Sequence, residues 1–203
     1  MKEIEIRALM PEMEEAYLDF FDHRAFSDGS PYYPCYCNAF NLRKDEIDRM
    51  REAGTEGWKQ ALRESAAQMV REGRIRGYLA FADGIAIGWC NANDRMMYCR
   101  VGEFDLDDVP EDAEPDCKRP GQIKSIVCFE ISPDYRGKGI ATQLLNRVCI
   151  DARAEGYDYV EAYPTEGVKP SLAFTGPKTL YEKMEFTEYA RTGNRIIMRK
   201  QLS

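Results

Sequence analysis

The residues that could do chemistry begin at a cluster of glycines. Arg136-Gly-Lys-Gly-Ile-Ala141 follows the strand-like run Ser125-Ile-Val-Cys-Phe-Glu-Ile131 and leads into a segment with Ile140, Leu144, Leu145, Val148 and Ala152 on one helical face. A helix start leaves its first backbone N–H groups unpaired and carries a partial positive charge. Glycines at 137 and 139 let that backbone approach an anion closely, so the unit is suited to holding phosphate. Two familiar phosphate loops fit badly. A Walker A loop needs Ser or Thr after Gly-Lys and an earlier glycine, whereas Gly139 and Ser132 stand at those places. A dinucleotide fingerprint needs a small residue where Thr142 stands, although Glu161 lies at the distance that fold would use for an acidic residue.

The hexapeptide does match Q/R-x-x-G-x-G/A, with Arg136, Gly139 and Ala141 at the fixed positions, and so resembles the pyrophosphate loop of the GNAT superfamily of N-acetyltransferases. Downstream, Thr179-Leu-Tyr-Glu-Lys-Met-Glu-Phe186 is similar to the family's second signature, with Glu185 in place of its glycine. Phe174 and Pro177 stand where the common pattern has Asn and Ala, which removes the grounds for expecting the usual side-chain contact to pantetheine from that loop. The resemblance covers most of residues 77–199 and, more loosely, the first 70. It implies acetyl-CoA as co-substrate, held by Arg136, Gly137, Lys138, Gly139, Ile140, Ala141 and Thr142. It also implies strand backbone at Phe129 and Ile131 pairing with the pantetheine arm, a main-chain contact that survives side-chain variation.

Acetyl transfer to an amine sets two proton tasks. An amine with a pKa of about 10.4 must lose a proton before attacking the thioester, and a departing thiolate with a pKa of about 8.5 gains from a positioned acid. The resemblance places Tyr181 as that acid; the plainer reading is a helix tyrosine packed on the core. Glu161 is the first candidate base and Glu130 the second, and either could be an ordinary salt-bridge partner. The expected mechanism is direct attack with no covalent intermediate. A non-catalytic acyl-CoA-binding module that senses or regulates is the rival, and Tyr181 favours the enzyme.

These residues need elements to position them. Alternation at Ile4 and Ile6 predicts a half-buried first strand, and Pro11 opens a helix to about residue 21. Helices follow over 42–51 and 58–71, with a Gly-, Pro- and Tyr-dense loop before them at 27–37. Asp83-Gly84 predicts a tight hairpin between strands 77–82 and 85–90. A long polar loop, the strand and helix above, a strand over 158–163, a short helix ending near 184 and a terminal hairpin around 193–194 complete the order. The fold expected is α/β: a mixed, mostly antiparallel central sheet flanked by helices, GNAT-like, as one domain over 1–203.

Composition narrows the partners. The net charge of −7 argues against nucleic acid, whose binding rests on cationic contacts to phosphate, and is compatible with a cationic amine, small-molecule or peptide. No apolar run approaches the roughly 18 residues of a membrane span and no signal-peptide segment is evident, so a cytosolic protein is expected. Seven cysteines in such a chain read as free thiols. Cys35-x-Cys37 could suggest a metal with Cys90 or Cys99, but no second close pair exists and the single histidine, His23, lacks ligand spacing; no metal is expected. Cys128 reads as a core-strand cysteine rather than an acyl carrier. Residues 103–116 hold eight acidic side chains and no basic one, either a solvated loop or a lure for a cationic substrate. The amine's identity stays open, as does a homodimer.

Overall fold

A computed structural model describes residues 3–52, 54–99, 123–169 and 173–202; the acidic stretch 103–116 lies outside them. The chain enters as β1 (Ile4–Ala8), then α1 (Glu14–His23), α2 (Lys44–Arg51) and α3 (Gly54–Arg71). A hairpin follows, β2 (Gly77–Ala82) and β3 (Ile85–Asp94), then β4 (Ile123–Ile131), α4 (Ile140–Ala154) and β5 (Tyr159–Ala162). The short α5 (Lys178–Glu182) and the pair β6 (Thr187–Thr192) and β7 (Arg195–Gln201) close it. The strands form a seven-stranded sheet in the order β1-β2-β3-β4-β5-β7-β6, with β4–β5 parallel and the other pairs antiparallel. The sheet is thus mixed and mostly antiparallel, as expected from the sequence.

Local chemistry explains the elements. The hairpin turn puts Asp83 at φ +51° and Gly84 at φ +78°, the two left-handed residues a tight hairpin demands. Central strands β2 and β4 are buried almost throughout because helices cover both sheet faces, so they read as near-continuous apolar runs. The edge strand β1 alternates instead, half-buried at Ile4 and Ile6. On one face α1 to α3 close over Tyr17, Phe20, Leu79, Trp89 and Cys128. On the other, α4 buries Leu144, Leu145 and Val148 against Ile126, Val160 and Ile196, with α5 beside it.

Three boundaries differ from the sequence reading. The first helix begins with a 3-10 turn at Pro11–Met13 and continues to His23. The second starts at Lys44, because the Glu46 carboxylate reaches back to accept the Arg43 N–H at 2.8 Å and caps the helix there. The third begins four residues early, at Gly54.

The ladder between β3 and β4 slips once. Between Asn91 opposite Cys128 and Ala92 opposite Ile126, β4 carries an extra residue, Val127. Such a bulge bends a strand and re-aims the side chains after it. Beyond it, Cys128 faces the α1–α3 layer and Phe129 the α4 layer, and by alternation Glu130 shares the Cys128 side.

Candidate active site

Strands β4 and β5 pair only from Ile123 to Ile126 against Tyr159 to Ala162. Past that point they separate, and a cleft of about 480 Å³ opens along the unpaired edge of β4. Phe129, Glu130 and Ile131 form its floor, Tyr32 and Phe174 one wall, and the glycine loop with the start of α4 the other. Ser132 N–H donates to Ile87 on β3, so the alternate residues Ile131 and Phe129 turn their main-chain groups away from β3 and into the gap. There the Ile131 carbonyl accepts from Arg136 Nε at 2.9 Å, and Phe129 N–H donates to the Phe174 carbonyl at 2.6 Å. An extended ligand along β4 would therefore take over a hydrogen bond that Phe174 now makes.

The glycine loop has the conformation its sequence suggests. Gly137 (φ +73°) and Gly139 (φ +77°) are both left-handed, and Gly139 is the N-cap of α4 with no side-chain cap. Gly137, Gly139, Ile140, Ala141 and Thr142 all border the cleft, so the positive end of a 15-residue helix faces it. Arg136 and Lys138 play other parts. Besides Ile131, the Arg136 guanidinium reaches Asp28 Oδ2 at 2.5 Å and Glu130 Oε1 at 3.1 Å. Lys138 Nζ donates to the Asp134 carbonyl at 2.7 Å and lies over the Tyr135 ring.

The three candidate proton-transfer residues occupy different environments. Glu130 lines the cleft, is 9% exposed, and burial pushes its carboxyl up to about 7 against the opposing pull of Arg136. A carboxyl with that pKa takes up a proton near neutral pH. Tyr181 is fully buried one layer behind the wall formed by Gly176, Pro177 and Leu180. Its O–H donates to the Thr175 carbonyl, its ring packs on Phe129 and Phe186, and burial holds its phenol well above the ordinary tyrosine value. It stays protonated, as an acid must.

Glu161 is not brought to the cleft. It has no exposure and sits between Arg199 Nε at 2.5 Å, the Tyr163 O–H at 2.5 Å and Arg95 at 3.5 Å, a buried ion-pair cluster on β5 one pair before the strands separate. The spacing that put Glu161 on the strand after the loop helix carried no information about the arginine on β7, opposite it in the sheet.

Sequence reasoning missed Asp28, Tyr32 and the main chain of Phe174. The first two belong to the Gly-, Pro- and Tyr-dense loop, whose composition marks irregular structure but not where it packs. Among the described residues no cluster of three or more potential ligands could hold a metal ion, and no helix is long and apolar enough to cross a membrane.

The sequence matches the model of the acetyltransferase (GNAT) family over residues 40–176, more than half of the chain and ending short of Tyr181. No curated protein matches it significantly. Solved structures similar over nearly the whole length include the PaiA N-acetyltransferase of Thermoplasma acidophilum in complex with coenzyme A. It is 18% identical, with 98% of this chain and 99% of that one covered and a TM-score of 0.54. An N-acetyltransferase of Staphylococcus aureus Mu50 is 15% identical, with 99% of each chain covered and a TM-score of 0.54. YncA of Salmonella typhimurium, solved with its cofactor acetyl-CoA, is 15% identical, with 99% and 95% covered and a TM-score of 0.52. At these identities the likeness is one of fold.

Proposed function

Because this chain belongs to the acetyltransferase (GNAT) family, whose co-substrate is acetyl-CoA, we propose that it moves an acetyl group from acetyl-CoA to a primary amine in the cleft along β4. The observation that carries the reading is Glu130, a near-neutral carboxyl on the floor of the same cleft that the α4 N-terminus borders.

In this reading the pyrophosphate sits on the backbone N–H groups of residues 137–142, where the helix end favours negative charge. The pantetheine arm runs beside β4 and pairs with Phe129 and Ile131, displacing the Phe174 carbonyl from Phe129 N–H. The amine enters on the Tyr32 side and meets Glu130, which takes its proton as nitrogen attacks the thioester carbonyl. The carbon–sulfur bond then breaks, and Tyr181 gives its proton to the leaving thiolate after exchanging the Thr175 carbonyl for the sulfur. Arg136 holds Glu130 in place and, by favouring the carboxylate, limits how far burial raises its pKa. Direct transfer in one complex needs no nucleophilic side chain.

Glu130 takes the base role ahead of Glu161, whose oxygens are already bound by Arg199, Tyr163 and Arg95. A module that only bound acyl-CoA would have no use for a carboxyl tuned to neutrality beside the ligand. The test is an amine panel assayed by release of free CoA thiol, with Glu130→Gln in parallel. Turnover of at least one amine that falls about 10²–10⁴-fold in the variant supports the proposal, and CoA binding with no turnover of any amine refutes it.

A further inference from the structure

One short turn occupies both donors that the proposed reaction needs, the Phe129 N–H for the pantetheine arm and the Tyr181 O–H for the sulfur. Residues Ala173-Phe-Thr-Gly176 close on themselves, the Gly176 N–H donating to the Ala173 carbonyl at 2.8 Å. The two central carbonyls are both taken. That of Phe174 accepts the Phe129 N–H at 2.6 Å, and that of Thr175 accepts the Tyr181 O–H. The two donors are themselves neighbours, because the Tyr181 ring packs on Phe129 with centroids 6.5 Å apart.

The turn fits closely on its inner side and is open on its outer one. Gly176 has φ +80°, and a Cβ there would stand 2.9 Å from the Tyr181 oxygen and 3.3 Å from its ring. Only glycine lets the backbone lie that close to the phenol. Thr175 and Tyr181 are buried, so their hydrogen bond is shielded from water. Ala173, Phe174, Gly176 and Pro177 instead border the cleft, where the half-buried Phe174 sets its ring edge-on to Tyr32 at 5.2 Å. The turn therefore yields most easily toward the cleft, where a released carbonyl meets water. A four-residue turn closed by its own hydrogen bond moves as a unit, and its central Cα atoms are about 3.8 Å apart. A shift that breaks one of the two contacts carries the other with it.

We propose that the turn 173–176 is a plug that masks Tyr181 until a pantetheine arm lies along β4. The inference rests on the reading of the cleft as the acyl-CoA site. A backbone N–H has one proton to give, so an arm pairs with Phe129 only by displacing the Phe174 carbonyl. The displaced turn draws the Thr175 carbonyl off the phenol, and the Tyr181 O–H takes the ligand sulfur as its acceptor. Each exchange replaces one hydrogen bond by another, so opening the plug takes little from the binding energy. Phe174 and Thr175 act here through their main chain, as positioning residues. The two exchanges that acetyl transfer requires thus become one movement, and the nucleotide end of the ligand has no part in it.

The test reads hydroxyl exchange at Tyr181 by NMR of protein labelled at tyrosine Cζ, in equal parts of light and heavy water, with Tyr181→Phe assigning the signal. A slowly exchanging hydroxyl gives a split Cζ signal, and one released from its hydrogen bond gives a single line. The free protein should show the split signal. It should persist with 3′-phospho-ADP, which is CoA without its pantetheine arm, and collapse with saturating CoA. Gly176→Ala, whose methyl pushes the turn off the phenol, should collapse it without any ligand. CoA bound by calorimetry with the signal still split would overturn the plug alone, as would collapse with 3′-phospho-ADP. Absence of any CoA binding would overturn the acyl-CoA site and the plug together. Should Gly176→Ala fail to fold, the two ligands on the wild-type protein still decide the matter.

Discussion

Arg136 donates to the Glu130 carboxylate at 3.1 Å while its Nε holds the carbonyl of Ile131, the next residue on β4. The first residue of the glycine loop is thereby tied to the carboxyl on the cleft floor rather than aimed at the phosphate cradle. Burial alone would favour the neutral acid, and the guanidinium restores part of the charged form; the balance falls at about 7. The same pair links the end of β4 to the start of the anion loop, so the two halves of the proposed site share one anchor.

That balance sets the pH dependence. A base works only when deprotonated, so kcat/KM should rise as pH passes through about 7, where Glu130 ionises. Glu130→Gln should remove this limb and leave the more alkaline one that reports the amine. A steady-state pH profile with its neutral limb intact in the variant would exclude Glu130.

Glu161→Gln should act on stability instead. Loss of the carboxylate removes the charge that balances the buried Arg199 guanidinium and leaves it chiefly its stacking on Tyr189, which costs up to about 3–5 kcal/mol. Urea unfolding should record that loss, while the neutral limb of the pH profile keeps its position. A normal midpoint together with a vanished limb would make Glu161 the base.

Tyr181→Phe keeps the packing on Phe129 and Phe186 but leaves the Thr175 carbonyl without its donor. We expect kcat to fall about 10²–10⁴-fold with CoA affinity nearly unchanged, and stability to drop by about 1–3 kcal/mol. Single-turnover kinetics showing unimpaired thiol release would remove the tyrosine from the mechanism.

Gly139→Val tests the anion cradle. A Cβ there would meet no atom within 4 Å, so the penalty comes from forcing a β-branched residue to φ +77° and costs on the order of 1–3 kcal/mol. Relaxation of that strain should turn the loop amides out of register and weaken CoA binding at least tenfold. Calorimetry of the folded variant giving wild-type affinity would show that the loop does not hold the pyrophosphate.

Sequence alone determined whatever depends on local pattern. The Asp83-Gly84 turn, the apolar stripe of α4 and the left-handed glycines before it are written in consecutive residues, because dihedral preference and periodicity act over a few positions. That Phe129 and Ile131 turn their main-chain groups to the same side of β4 was also legible, since strand backbone alternates with fixed period. Only the tertiary structure decided which glutamate faces the cleft. Glu130 and Glu161 sit on neighbouring parallel strands, but the strands part after Ile126, and Glu161 lies on the paired side of that divergence beside Arg199. The same holds for Asp28 and Tyr32, delivered to the cleft by an irregular loop far from β4 in sequence. The burial and ion pairing that set a group's charge come from distant segments packing together, and no short stretch of sequence encodes which segments those are.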